Sequence, residues 1–285
     1  MKPSQKQVNI LYHSLQSRYD NAKLKRISNE ANVFANYLNT LSGFTTIDAP
    51  HEVKHVGRVI VDGVLQLASD WNRQVGGTVR YITGVLSAAT VSGFISFVQQ
   101  HQRQPQTQFK VKNRETALLM VAQFFAGKGI ETFDSLYKWL EPESNRDSLL
   151  TQNSGLQWGV FRIGNKTADY FRGLVGHWDA VAVDRGIREL LAAAKVISKF
   201  SNKYDYKEIR SIVQLTAVSH FDSRPLDLDA SIYSYYTLTR SGTAKVIRKT
   251  KISGSGSGNH KYCIYCGVSI PQIARYCPKC GGLQP

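Results

Sequence analysis

Residues 162–171 of the chain read Arg162-Ile163-Gly164-Asn165-Lys166-Thr167-Ala168-Asp169-Tyr170-Phe171. A short turn that contains glycine precedes a helical pattern here, and we expect the helix to open at Lys166 or Thr167. The first backbone N–H groups of a helix have no partner within the helix, so they can bind an oxygen of a phosphate group. The stretch therefore predicts a helix start that can contact an anion.

A second stretch follows downstream, Gly176-His177-Trp178-Asp179-Ala180-Val181-Ala182-Val183-Asp184, and leads into another helical pattern. Asp184 occupies the position of an N-cap residue, where a carboxylate accepts a hydrogen bond from the first turn. Taken alone, a lysine at position 166 is usually a surface charge, and an aspartate at position 184 is usually only a cap. Neither residue establishes a chemistry by itself.

Helical spacing of apolar residues dominates the chain up to residue 236, so the body is predicted to be mostly α. The stretch 81–98 is uncharged, but its serines, threonines and glycines favour a buried helix or helix pair over a membrane span. The predicted helical segments are two helices within 8–38 and single segments at 59–67, 79–98, 115–126, 132–140, 167–175, 185–196 and 206–217.

The composition is that of a globular protein with a large excess of positive charge. Of 285 residues, 42% are hydrophobic and 20% are charged, which excludes a disordered, collagenous or membrane-embedded chain. Lysine and arginine total 36 against 21 acidic residues, a formal net charge of +15. This balance predicts a polyanionic partner, either nucleic acid or an anionic membrane surface. Residues 237–285 contain basic residues but no acidic ones, so this tail carries about half of the excess.

All four cysteines lie in this tail, as two CxxC pairs separated by ten residues. Four thiolates in a tetrahedral array select Zn²⁺ over hard cations and leave no open coordination position for catalysis. We therefore predict a structural zinc ion, with a one-iron or cluster site and free cysteines as alternatives, and the tail resembles a short zinc ribbon. The predicted ligands are Cys263, Cys266, Cys277 and Cys280.

Four regions are predicted along the chain: N-terminal helices at 1–50, a helical domain at 51–238, a basic and Gly-Ser linker at 239–259 and the zinc ribbon at 260–285. The linker contains Ser-Gly repeats at 253–258, which are typical of a flexible connection, either natural or an engineered joint. The polar N-terminus shows no secretion signal, and the clustered cysteines fit a reducing compartment, so we expect a cytoplasmic protein.

The central residues resemble the helix-hairpin-helix DNA glycosylases of the endonuclease III type, the HhH-GPD family. Ile163-Gly164-Asn165-Lys166-Thr167-Ala168 is similar to the hairpin, and Ala182-Val183-Asp184 to the segment of the catalytic aspartate, with lysine and aspartate 18 positions apart. Coarser similarity runs from about residue 59 to 236 and includes Arg224-Pro225-Leu226-Asp227-Leu228-Asp229-Ala230, which resembles a late helix of related glycosylases. The resemblance implies a two-lobed helical fold.

The resemblance further implies that Lys166 is the nucleophile and Asp184 its partner. A helix start and partial burial both favour the neutral form of an amine, which is the nucleophilic form. The enzyme would flip a damaged or modified base out of double-stranded DNA, excise it, and cleave the strand by β-elimination. The residues of the hairpin implied to contact DNA are Arg162, Ile163, Gly164, Asn165 and Thr167.

Some residues depart from the family pattern. Arg162 replaces the first glycine of the hairpin, and Gly186 stands where relatives often carry histidine. The cysteine spacing of the family's iron-sulfur cluster is absent from the sequence, so no such cluster is expected. Two alternatives stay open, a nucleic-acid-binding protein without catalysis and a monofunctional glycosylase that uses water. We expect a monomer, associated with the nucleoid if the source is prokaryotic, and the sequence leaves the excised base open.

Overall fold

The computed structural model describes residues 2–49, 54–65, 76–101, 114–150, 163–197, 205–240, 260–262 and 269–271. Within these ranges the protein is mostly helical, as the spacing of apolar residues predicts. Arg162, the four cysteines and the Ser-Gly repeats of the linker lie outside the described residues.

Twelve α-helices and two short strands are present in the described ranges. The helices are α1 (Gln5–Arg18), α2 (Asn21–Thr40), α3 (Val56–Leu65), α4 (Gly76–Thr83), α5 (Val91–His101), α6 (Arg114–Gly127), α7 (Phe133–Leu140), α8 (Glu143–Ser148), α9 (Asn165–Leu174), α10 (Arg185–Ala193), α11 (Tyr206–His220) and α12 (Pro225–Arg240). The strands are β1 (His260–Tyr262) and β2 (Ser269–Pro271).

The chain divides into two compact units, Met1–Tyr233 and Ser234–Pro285. In the second unit, β1 and β2 form an antiparallel pair in which Lys261 lies opposite Ile270. The first unit contains the helices that carry Lys166 and Asp184.

The apolar stretch 81–98 forms two helices rather than one. Helix α4 ends at Thr83, and a 3-10 turn at Leu86–Ala89 separates it from α5. The break is visible at Leu86, whose side chain is 87% exposed although the stretch is uncharged. None of the helices that the structure describes is long and apolar enough to cross a membrane.

A hydrophobic core joins the helices from α3 to α9, and α9 lies directly on α3. Phe171 of α9 is fully buried, and a Cβ atom added at Gly63 of α3 would lie 2.5 Å from its ring. Glycine at this position therefore permits the close approach of the two helices. Beside this contact the Tyr170 hydroxyl donates a hydrogen bond to Asp62 Oδ1 at 3.0 Å, so α3 fixes the position of α9 by both packing and polar contact.

The N-terminal helices belong to the same compact unit as the predicted glycosylase region. Helix α2 packs against α11, where the Thr216 hydroxyl donates to the carbonyl oxygen of Ala31 at 3.2 Å. Arg26 of α2 pairs with Glu208 of α11 at 2.7 Å, and Arg18 of α1 pairs with Glu143 of α8. The first 40 residues thus support α8 and α11, two helices that also hold the residues around Lys166 and Asp184.

Candidate active site

Lys166 is the second residue of α9, which starts at Asn165, one residue before the earlier of the two expected positions. Gly164 is the N-cap residue and supplies no side-chain hydrogen bond to the helix. The first N–H group to bond back along the chain is that of Ala168, which donates to the carbonyl oxygen of Gly164 at 3.1 Å. The helix therefore does not use the N–H groups of its first three residues.

Gly164 is exposed, and its surroundings do not require glycine. Its φ of −97° and ψ of −178° are open to any residue, and a Cβ atom added there would meet no atom within 4 Å. Without a side chain at Gly164, no capping atom occupies the space before the first turn of α9. This combination fits a backbone that another molecule approaches closely.

A buried arginine holds the start of α9 from the inside. Arg146 of α8 is fully buried and donates two hydrogen bonds to the carboxylate of Asp169, at 3.1 and 2.8 Å. It also donates to the side-chain oxygen of Asn165 at 2.8 Å and to its carbonyl oxygen at 3.1 Å. Arg210 of α11 reaches Asp169 as well, at 3.3 Å. The first turn of α9 is thus fixed although it has no cap.

Asp184 is the N-cap residue of α10, as its position in the sequence predicts. Its Oδ1 atom accepts a hydrogen bond from the Ile187 N–H at 2.9 Å. The extended residues before it are held by Tyr206 of α11, whose hydroxyl accepts from the Val183 N–H at 3.1 Å. Burial, followed by the negative charge of Asp169, raises the pKa of Tyr206. This hydroxyl therefore stays protonated. It connects the segment before Asp184 to Asp169, the carboxylate that Arg146 also binds.

Asp229 of α12 lies beside the same extended segment and accepts a hydrogen bond from the Ala182 N–H at 3.0 Å. Burial, together with the negative charges of Asp184 and Asp169, raises the pKa of Asp229 to about 8. The Ala182 N–H and the positive charge of Lys166 oppose this rise. Lys166 and Asp184 thus act electrostatically on one carboxyl group, which identifies a common neighbourhood for the two predicted catalytic residues.

The hairpin residues have different environments. Ile163 and Thr167 are each 2% exposed, so neither side chain offers a surface to a ligand. Asn165 uses its side-chain oxygen to accept from Arg146. Lys166 and Asp184 are half-buried, and Gly164 is exposed. Contacts of this turn with a ligand therefore have to come mainly from backbone N–H groups and from Lys166.

Three residues of this site were not predicted from the sequence as part of it. Arg146 and Tyr206 carried no recognisable signal, because charged and phenolic residues at such positions are usually exposed. Asp229 did lie in the stretch 224–230 that resembles a late helix, and its acidic residues in an otherwise apolar pattern were a usable signal. All three act by holding backbone or side-chain groups of the site.

Comparison of the chain with models of protein families, with curated proteins and with solved structures finds no match. Among the described residues no group of three or more histidine, cysteine, aspartate or glutamate side chains is placed to hold a metal ion. The four cysteines lie outside those residues, so the zinc site stays a prediction.

Proposed function

We propose that the protein is a DNA glycosylase with AP lyase activity, in which Lys166 is the nucleophile and Asp184 its partner. The observation that carries the proposal is the convergence at Asp229, whose carboxyl group is influenced by both Lys166 and Asp184. The two residues are 18 positions apart in sequence and belong to different helices. Their convergence, at a helix start with free N–H groups, supports the resemblance to the endonuclease III type.

The reaction requires a neutral amine and a carboxylate at one place. The Nζ atom of Lys166 would attack C1′ of the damaged nucleotide, and the bond from C1′ to the base would break with its electron pair leaving on the base. Asp184 would take up the proton that the amine loses and stabilise the positive charge on the sugar during this step. The C1′–O4′ bond of this product would then break, with O4′ taking up a proton, to give a Schiff base between C1′ and Lys166. Loss of the C2′ proton and expulsion of the 3′ phosphate from the Schiff base would cleave the strand.

Binding of DNA would use the open start of α9. The first N–H groups of this helix, which make no hydrogen bond within it, could donate to a phosphate oxygen, and the net charge of +15 supplies the long-range attraction to the duplex. The base must leave the stack before Lys166 can reach the sugar. We therefore propose a double-stranded DNA partner that contains a damaged or modified base, encountered in the cytoplasm or nucleoid.

Borohydride trapping tests the proposal, because it reduces the Schiff base to a stable protein-DNA adduct. We expect the wild type to form an adduct with a duplex that contains an abasic site, and Lys166→Ala to reduce its yield at least about a hundredfold. Lys25→Ala is the matched control, since Lys25 is an exposed lysine on α2. Absence of an adduct with wild type, or equal trapping by Lys166→Ala, rejects the lyase assignment. A panel of duplexes with different lesions would then identify the excised base.

A second candidate is a nucleic-acid-binding protein without catalysis. The hydrogen bond from Ile187 to Asp184 favours it, because this carboxylate already has a structural task as a helix cap. Such a protein would bind duplex DNA with unchanged affinity after Asp184→Asn, and would trap no adduct. The monofunctional glycosylase differs from both, since it would release a base without forming an adduct.

For the tail we propose a structural zinc ion bound by the four cysteines. The antiparallel strands β1 and β2 flank the first CxxC pair in the sequence, an arrangement that suits a small ribbon. Zinc analysis of the wild type is expected to give one zinc per chain. The double variant Cys263→Ser, Cys266→Ser is expected to lose it, and unchanged zinc content in that variant would contradict the assignment.

A further inference from the structure

Asp229 and the segment before Asp184 form an arrangement that the proposed reaction does not explain. The backbone between Val181 and Asp184 is extended and is held by two side chains from different helices. Tyr206 of α11 accepts the Val183 N–H at 3.1 Å, and Asp229 of α12 accepts the Ala182 N–H at 3.0 Å. Tyr206 shows that a neutral hydroxyl is a sufficient acceptor for an N–H group of this segment. The carboxyl group that accepts the Ala182 N–H therefore needs an explanation.

The charged groups around Asp229 supply that explanation. Asp184 at the start of α10 and Asp169 on α9 are negative, and Lys166 on α9 is positive. On α12 itself Asp227 is engaged elsewhere, since it pairs with Arg224 at 2.6 Å and accepts the Ala49 N–H at 2.8 Å. An ionised Asp229 would therefore be a further negative charge near Asp184.

We propose that Asp229 is a positioning residue which, as a neutral carboxylic acid, holds the segment of Asp184 through the Ala182 amide and leaves Asp184 as the carboxylate partner of Lys166. The inference rests on the proposed function. Burial and the neighbouring carboxylates favour this neutral form, since they raise the pKa of Asp229 to about 8. At higher pH Asp229 becomes a second negative charge near Asp184.

The test compares Asp229→Asn and Asp229→Ala in the full chain, with an abasic-site duplex and borohydride between pH 6 and 9.5. Asparagine keeps an oxygen for the Ala182 N–H, so we expect Asp229→Asn to trap within about twofold of wild type near pH 7. Alanine removes the acceptor, and we expect about tenfold slower trapping across the whole pH range. Asp134→Asn, which changes an exposed carboxylate on α7, is expected to follow the wild-type profile.

An NMR titration provides a readout that does not depend on activity. In the wild type the amide resonance of Ala182 is expected to shift with a midpoint near pH 8, and in Asp229→Asn this shift should disappear. Trapping by Asp229→Ala at the wild-type rate, or a wild-type Ala182 amide that does not titrate near pH 8, would overturn the inference. If wild type forms no adduct at any pH, the proposed function fails, and the Ala182 titration still decides whether Asp229 holds this segment as a neutral acid.

Discussion

The first turns of α9 and α10 differ in how they are held in place. Both helices begin with N–H groups that need partners, and both carry a residue of the proposed reaction in or before the first turn. Helix α10 satisfies its own start, because Asp184 accepts the Ile187 N–H at 2.9 Å. Helix α9 begins at Gly164, which provides no side-chain cap. At α10 a side chain thus takes one N–H group of the first turn, whereas no side chain of the N-cap residue does so at α9.

The difference shows where the rigidity of each start comes from. At α10 it comes from local sequence, since an aspartate three residues before Ile187 is sufficient for the cap. At α9 it comes from tertiary structure, because Arg146 of α8 binds Asn165 and Asp169 from the buried side. An uncapped start that is also rigid can offer its N–H groups without first being ordered by the ligand, which lowers the entropic cost of binding.

The largest expected effect on stability comes from replacing Arg146, the buried side chain that binds Asn165 and Asp169 in the first turns of α9. Arg146→Met leaves the carboxylate of Asp169 buried, with Arg210 as its remaining arginine partner at 3.3 Å. Breaking a buried ion pair in this way typically costs about 3 to 5 kcal/mol, so we expect the free energy of unfolding to fall by that amount. Urea denaturation measures it.

The matched control for this change lies at the start of α10. Arg185 pairs with Glu189 at 2.6 Å on the surface, and its side chain is 69% exposed. We expect Arg185→Met to cost no more than about 0.5 kcal/mol. Similar losses for the two variants would contradict the view that α9 depends on buried support and α10 does not.

A smaller effect is expected when the cap of α10 is removed. Asp184→Ala should lower the free energy of unfolding by about 1 kcal/mol, whereas Asp184→Asn should leave it nearly unchanged, because asparagine is an equally good N-cap residue. Both variants should lose borohydride trapping, since both lack the carboxylate. Thermal unfolding and trapping together separate the two roles of Asp184.

Asp20 provides the control for this pair of variants. It caps α2 in the same way, accepting the Lys23 N–H at 2.7 Å. We expect Asp20→Ala to lower stability about as much as Asp184→Ala and to trap normally. Full trapping by Asp184→Asn would mean that Asp184 is a cap and nothing more.

The same contrast explains what could be predicted from the sequence. Apolar spacing predicted the helices other than α8 and α12, and the position of Asp184 predicted its cap, because both signals are set by residues within a few positions of each other. The support of α9 depends on Arg146 and Asp169, which are 23 positions apart. A buried arginine cannot be recognised from composition, since arginine is seldom buried without a partner and the partner is distant in sequence.

The contact of Asp229 with Ala182 is a second one that the sequence alone does not predict. Asp229 meets the Ala182 amide across 47 positions, and no periodicity encodes that contact. Its pKa depends on burial and on Asp184 and Asp169, which come together only in the folded chain. The sequence predicts roles for Lys166 and Asp184 through their spacing and resemblance, and these roles stay a prediction. The groups that hold them had to come from the structure.

The smallest effect on stability, and the sharpest test of the comparison, comes from giving α9 a cap of its own. In Gly164→Ser the hydroxyl can accept the N–H of Thr167, as Asp184 accepts that of Ile187 in α10, and the free energy of unfolding should change by only a few tenths of a kcal/mol. The added cap takes a donor away from a bound phosphate, so we expect affinity for duplex DNA to fall about tenfold. The salt dependence should stay the same, because a backbone N–H displaces no counterion.

Gly127→Ser is the control for this last variant, since Gly127 is also exposed and a Cβ atom added there meets nothing within 4 Å. It should leave DNA affinity unchanged, which a fluorescence anisotropy titration at several salt concentrations would measure. If Gly164→Ser binds duplex DNA as tightly as Gly127→Ser, the free N–H groups of α9 do not contact phosphate. Binding would then depend on the charge of the chain alone, and the open start of α9 would have no part in recognition.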